Sequence, residues 1–303
     1  MFYLFAIIAG IIIAVMVQFN GSLTSFYGLY TATFITHLFG LLTSIVITLI
    51  KKEKLFRFKK LPFFLYLGGC VGFLTTIFNN LAFGKISISA ILALSLFGQA
   101  ITSLFLDRFG WFGMPKRKFR PFKIIGLLIV FIGISAMLYP FEFDASMIIS
   151  IIISLLSGVT VNVSRAMNVT LSDKTSLSNS TTMNYLTGFI VSLICLLIFG
   201  IQNHEMIFTN GITFTSDVWI YAGGILGAFV IVLTNMTFNK IDSLYATLLL
   251  FVGQVFTGIF IDLVLEQTFS LYLTIGAVLT LLGLVFNLVL DRRKSQKEKD
   301  TIL

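Results

Sequence analysis

Two histidines, two cysteines and a scatter of amides are the residues of this 303-residue chain with chemistry to offer. His37, with an unperturbed pKa of about 6.5, is the natural proton carrier. His204 stands alone. Cys70 and Cys195 sit inside apolar runs with no Cys or His at metal-ligand spacing, so neither a zinc site nor a disulfide framework reads from them. There is no Ser/His/Asp constellation and no glycine-rich phosphate loop. What remains is Gln18, Asn20, Asn79, Asn80, Gln99, Asn168, Asn235 and Gln254. Amides both donate and accept hydrogen bonds, which suits holding an uncharged or zwitterionic solute and not breaking a bond. No enzyme activity, cofactor or metal is expected.

The elements that must position these residues are membrane helices. Hydrophobic residues make up 57% of the chain and charged residues 11%, with a mean hydropathy of +0.99. Soluble domains carry roughly 25% charged residues and cannot hide so much apolar surface. A soluble enzyme, a nucleic-acid binder and a disordered chain are excluded. The hydrocarbon core asks for about 20 apolar residues per helix. Such runs occur at 2–20, 30–50, 62–82, 86–106, 122–140, 146–166, 180–200, 217–237, 243–263 and 271–290. Their continuity speaks against a β-barrel, whose strands alternate. The start, Met1-Phe2-Tyr3-Leu4, lacks a charged leader region and reads as an uncleaved first span.

Charge then orients the spans. The loop KKEKLFRFKK holds six Lys/Arg, the loop after span 4 six more (Arg108 to Lys123), and the tail five, Arg292 to Lys299. With Arg165, Lys174 and Lys240, a ten-span arrangement puts 20 of the 21 basic residues on one face, leaving Lys85 on the other. By the positive-inside rule both termini are cytoplasmic. The net charge of +8 therefore reads as topology signal and lipid anchor, not as a nucleic-acid surface.

The chain also repeats itself. At an offset of 148, Gly10, Asn20, Leu23, Gly40 and Ser44 meet Gly158, Asn168, Leu171, Gly188 and Ser192. At 155, Tyr66, Gly68, Gly69 and Gly72 meet Tyr221, Gly223, Gly224 and Gly227. At the same offset Asn80, Gly98-Gln99 and Asp107 meet Asn235, Gly253-Gln254 and Asp262. At 150, Gly126 and Gly133 meet Gly276 and Gly283. Five spans per copy is an odd number, so the copies enter the membrane in opposite senses. The expected fold is an all-α polytopic membrane protein of ten transmembrane helices in two inverted-topology repeats, 1–140 and 141–290, with a basic cytoplasmic tail at 291–303. Inverted repeats are a signature of secondary transporters, in which two halves rock about a site near the midplane.

Local motifs narrow this. They are Gln18-Phe19-Asn20-Gly21 at the exit of span 1, Asn79-Asn80 closing span 3, and Gly98-Gln99 followed by Asp107 in span 4. Asn168, Asn235, Gly253-Gln254 and Asp262 are their counterparts. The whole pattern resembles the drug/metabolite transporter superfamily, in its YdcZ-like branch, over nearly the full chain. The second half departs at Gln18, which becomes Ala166, and at Asn79, which becomes Thr234. The resemblance implies small-molecule transport across a bacterial cytoplasmic membrane, in the export direction. It also implies that two units are fused here where single-unit members pair as dimers; a homodimer of the fused chain stays open.

The expected function is secondary transport of a small polar or amphipathic metabolite by alternating access, through a cavity lined by spans 1, 3, 4, 6, 8 and 9. A non-transporting membrane scaffold or sensor is the alternative, and no filter-like ring speaks for a channel. Gln99 and Gln254 are the first substrate-binding candidates. Gln99 lies about 13 residues into its span, ~20 Å at 1.5 Å per residue. Their purely structural role would be an interhelical hydrogen bond of roughly 0.6–2 kcal/mol. Gln18 is preferred to Asn20 as a lining residue. Asn79, Asn80, Asn235 and Asn168 follow, with helix capping as their structural alternative, and Tyr245 is a candidate for stacking on a substrate ring. His37, Asp107, Asp262 and Arg165 are the coupling candidates, with the proton as coupling ion. Arg165 is read first as snorkelling to the cytoplasmic interface. Asp107 and Asp262 are placed close to the membrane surface, solvated or paired with a basic loop. The glycine patterns at 68–72 and 223–227 are read as close helix packing between spans 3 and 8 and their neighbours.

Overall fold

The computed structural model describes residues 2–56, 58–113, 116, 121, 123–139, 144–209, 211, 213–238, 240, 243–266 and 270–300; the side chains at 107, 238, 243–245, 266 and 291–300 are outside that description. Helices follow in the order α1 (Phe2–Tyr27), α2 (Leu29–Ile50), α3 (Gly68–Ala82), α4 (Ile88–Phe109), α5 (Lys123–Leu138) and α6 (Ala145–Lys174). Then come α7 (Leu177–Cys195), the single turn α8 (Met206–Thr209), α9 (Ala222–Phe238), α10 (Ser243–Glu266) and α11 (Leu271–Asp300). Among the described residues nine helices are long and apolar enough to cross a membrane, and α5 is a shorter apolar tenth. The protein is an all-α polytopic membrane protein.

The ends are set by local chemistry. Ser87, Asp144 and Ser176 cap α4, α6 and α7, their side chains accepting from the backbone N–H groups of Ala90, Met147 and Asn179. Two ends differ from expectation. The first helix does not stop near Asn20 but runs to Tyr27, with Thr24 and Ser25 turning their hydroxyls back to the carbonyls of Asn20 and Gly21. It ends at Gly28, whose φ of +94° is a conformation side chains disfavour. The last helix continues to Asp300, so the expected basic tail is an extension of α11.

Lipid-facing residues recur at helical spacing, as in Leu42, Val46 and Leu49 on α2 and Ile124, Leu128 and Phe131 on α5. The most enclosed helix is α4, whose Ile91, Leu92 and Leu94 join Phe251 and Val255 of α10 in the main apolar core.

The packing carries the duplication. α1 lies along α9 and α10, and its counterpart α6 lies along α3 and α4. α2 packs on α9 as α7 packs on α3, while α2 meets α7, α4 meets α10 and α5 meets α11. Exchanging each helix for its repeat partner maps this set onto itself, which is an internal pseudo-twofold arrangement. The two sequence halves are therefore interleaved and not side by side. Glycines make the key crossings possible. A Cβ on Gly10 would meet the Gly253 backbone, and one on Gly158 would meet the Ser95 carbonyl oxygen, one turn from Gly98. At the centre, His37 covers Gly188 and its repeat equivalent Tyr185 covers Gly40, with the two rings 6.2 Å apart. The glycines at 68–69 and 223–224 do not join α3 to α9; they admit Asn168 and Asn184 in one half and Asn20 and Thr36 in the other.

Gly158→Ala should force α6 away from α4 and cost about 1–3 kcal/mol, as overpacking does. Gly72→Ala, whose methyl would meet only Ser164 Oγ at 3.4 Å and Asn184 Oδ1 at 3.7 Å, should unfold at the wild-type temperature. Thermal unfolding of the purified variants in detergent checks both.

Candidate functional site

Where the interleaved halves meet, a cavity of about 170 Å³ opens. Its wall takes residues from α1, α2, α3, α4, α6, α7, α9 and α10, so α2 and α7 join the six expected spans. They enter because the pseudo-axis runs between them, bringing Thr36, His37, Asn184 and Tyr185 to the wall.

One side of the cavity is a connected polar network. Arg165 Nη1 donates to Gln99 Oε1 at 3.0 Å. The backbone carbonyl of the same glutamine accepts from Asn162 Nδ2, also at 3.0 Å. One turn along α6, Asn168 Nδ2 donates to Asn184 Oδ1 at 2.8 Å, and Ser164 Oγ to the Gly68 carbonyl at 2.8 Å. Asn79 accepts from Ser157 Oγ at 2.6 Å, and Ser157 also contacts Ser95 Oγ at 3.2 Å. Each of these polar groups in hydrocarbon is thus held by a neighbour, as the low dielectric demands.

The other side is poorer in partners. Thr36 Oγ1 donates to Asn20 Oδ1 at 3.1 Å. His37 Nδ1 lies 2.8 Å from the Thr33 carbonyl; a carbonyl only accepts, so this nitrogen carries the proton. Asn235 Nδ2 is buried with no partner, and the Gln254 amide finds no hydrogen-bond partner among the described residues. Both line the cavity, and the rest of this side is apolar: Ile13, Met16, Val230 and Ile231.

The candidates divide accordingly. Gln99, Gln254, Asn20, Asn79, Asn235, Asn168, His37 and Arg165 all reach the wall. Arg165 does not snorkel to the interface, because Gln99 holds it inside. Gln18 is absent from the wall and Asn20 takes its place; Gln18 turns to Ser22 Oγ at 3.1 Å, and its Oε1 is buried without a partner. Asn80 points instead to Thr33 Oγ1 at 3.5 Å. The side chains of Asp107 and Tyr245 lie outside those described. Asn184 is a wall residue that the repeat does not reveal; its partner Thr36, a hydroxyl in place of an amide, hides the correspondence.

Asp262 is not solvated at the membrane surface. It is 4% exposed and its two oxygens accept from the Ile88 and Ser89 backbone N–H groups at 2.8 and 3.0 Å. It closes the N-terminus of α4, where the helix dipole favours an anion. Glu205, which the sequence hides in a short loop, does the same for α2, accepting from the Tyr30 and Thr31 backbone N–H groups and from Thr31 Oγ1 at 2.6–2.8 Å.

A family model described as "Putative inner membrane exporter, YdcZ" matches the chain in two segments, residues 1–136 and 149–286. The chain belongs to the YdcZ family. It is accordingly a multi-pass inner membrane protein of an exporter family. Among curated proteins no sequence matches it. A solved crystal structure aligns over 96% of both chains with a TM-score of 0.66 at 16% identity, which is a likeness of fold. Within this YdcZ-family fold, the paired carboxylates tie both α2 and α4, in the first half, to the second half.

Asp262→Ala should leave two buried N–H groups unpaired and cost about 1–2 kcal/mol, the range of a lost helix cap. Asp262→Asn, which keeps one acceptor, should cost less. A ranking of the two variants by thermal unfolding tests the assignment.

Proposed function

We propose that this chain is a secondary transporter that exports a small polar or amphipathic solute by alternating access, with the solute held in the central cavity. The observation that carries the reading is Asn235 Nδ2, a cavity-wall amide buried without a protein partner in an apolar bundle, with Gln254 in the same wall. An unpaired buried polar group costs about 1–3 kcal/mol, and of the four such atoms among the described residues Asn235 Nδ2 is the one on the cavity wall, where a ligand can complete it.

The moving bodies in this proposal are not residues 1–140 against 141–290. They are α1 with α9 and α10, and α6 with α3 and α4, groups in which one helix packs closely along two others. The repeats act as an inverted pair whose exchange of roles opens the cavity to alternate sides. The proposed orientation keeps both termini cytoplasmic. Contacts between connections support the shared sidedness of helix ends, and the charge rule supplies the direction. Glu53, after α2, accepts from Ser176 and Ser178 at the start of α7, both on the cytoplasmic side. Glu205, after α7, binds the start of α2 on the external side. In the same scheme His37 is the proton-coupling residue, since it is the histidine in the wall.

Gln99→Ala and Gln254→Ala should each lower solute flux in proteoliposomes by roughly tenfold, the cost of one lost buried hydrogen-bond partner. The unfolding temperature of Gln254→Ala should stay near wild type, while Gln99→Ala, which removes the acceptor of Arg165 Nη1, should unfold somewhat lower. Full flux in the double variant would sink the proposal and move weight to a non-transporting role.

A further inference from the structure

The helix caps are of two kinds. Ser87, Asp144 and Ser176 sit immediately before the helices they cap, so those bonds hold wherever the rest of the molecule moves. Glu205 and Asp262 come from far along the chain and from across the bundle. Asp262 of α10 binds the start of α4, joining the α1 group to the α6 group. Glu205 follows α7, which packs on α3 and α6, and it binds the start of α2, which packs on α9 and α1. As the spans alternate, both carboxylates lie on the face where α2 and α4 begin. The repeat shows why Glu205 is needed. At the offset of 148, Ser176 corresponds to Gly28. Ser176 caps α7 with its own hydroxyl, whereas Gly28 has no side chain to cap α2. Gly28 also leaves the room, since a Cβ there would lie 2.6 Å from Glu205 Cδ. The acid in the matching connection on the other face, Glu53, is held more loosely. Among the described residues it accepts only from the Ser176 and Ser178 hydroxyls, at 2.6 and 3.3 Å, and it is half-buried where Glu205 is buried.

Resting on the carrier reading above, we infer that Glu205 and Asp262 are gate latches on the face where α2 and α4 begin, that Glu53 is a weaker latch on the opposite face, and that the empty carrier therefore favours opening at the Glu53 face. Opening the first face draws the two bodies apart and breaks the bonds that both carboxylates accept. These bonds are charge-assisted, and burial in a low dielectric strengthens them. Opening the opposite face releases Glu53 from two hydroxyls, while Ser176 goes on capping α7 because cap and helix move together. The asymmetry lies in the two glutamates; the side chain of Asp107, the counterpart of Asp262, is outside the described residues. An exact inverted repeat makes its two openings equivalent. Here a glycine in place of a serine, and the acid that it admits, makes them unequal. In the proposed orientation the favoured opening faces the cytoplasm, where an exporter loads.

The test reads both faces by distances between spin-label pairs on the full chain in lipid nanodiscs, with Cys70 and Cys195 replaced by alanine. Phe26→Cys with Lys85→Cys spans the Glu205 face, and Lys54→Cys with Lys174→Cys spans the other; all four positions are exposed. Glu205→Ala and Asp262→Ala should each raise the long-distance population of the 26–85 pair about tenfold, the effect of losing a charge-assisted hydrogen bond. Glu205→Gln and Asp262→Asn, which keep an acceptor, should raise it less. Glu53→Ala should move the 54–174 pair less than Glu205→Ala moves the 26–85 pair. Caps with a structural role alone would lower the unfolding temperature and leave the distances as in wild type, and that result overturns the inference. If the substituted chains fail to fold, the wild-type chain decides: its long-distance population should be larger for the 54–174 pair, and an equal or reversed ratio overturns the inference. The carrier reading is separable through the flux of the Gln99→Ala and Gln254→Ala variants. Unmoved distances with that flux loss intact remove the latches and leave the carrier, whereas full flux in the double variant removes the carrier and the latches together.

Discussion

A bilayer offers no water, so each polar group placed inside it must find its partner within the chain. That constraint organises this protein from its helix ends to its cavity. Helices α2 and α4 begin at depths where Glu205 and Asp262 are themselves buried, and the carboxylates supply what solvent would have supplied. Threonines and serines along the spans bond back one turn to their own helix, as Thr33, Thr36 and Thr48 do. The interhelical network of Arg165, Gln99, Asn168 and Asn184 follows the same rule across helices. Among the described residues four buried polar atoms lack a partner, and of these Asn235 Nδ2 belongs to a residue of the cavity wall.

The same constraint explains the glycines. Helices in lipid gain little from hydrophobic burial against one another, so close van der Waals approach must hold them. Gly10 against Gly253 and Gly158 beside Gly98 bring backbones together at two crossings related by the pseudo-twofold. These contacts fasten α1 to a helix of the other half and α6 to a helix of the first. The duplicated units are thereby interleaved, and neither has an interior of its own. The cavity lies where their contacts thin out, lined by four helices from each unit.

The two repeats line that space with different residues, so the cavity is not symmetric. Gln99 and Gln254 match across the repeats, while Arg165 opposite Val17 and Asn184 opposite Thr36 do not. A single fused chain permits this, because each copy is free to change without altering the other. Two identical units would place two guanidiniums in one small cavity, at a heavy electrostatic cost.

The sequence by itself determined the membrane class, the helical spans, the duplication and the family-like motifs. Each depends on consecutive residues: a stretch long enough to cross hydrocarbon, a charge count per loop, a spacing of glycines. It also determined most of the amides that reach the cavity, since a polar residue deep in an apolar run is too costly to keep unless it faces the bundle interior. Which face each amide takes was decided only by tertiary structure. Gln18 and Asn20 lie about 200° apart around a helix of 3.6 residues per turn, so a preference between them depends on the rotation of α1 against α9 and α10. Arg165 near a helix end reads equally as reaching for the interface or turning inward, until Gln99 of α4 is found beside it. Asp262 and Glu205 find their N–H partners about 174 residues away. Such pairings follow from how the helices cross, and helix crossing is set by close packing between distant glycines, not by any property of a local stretch of chain.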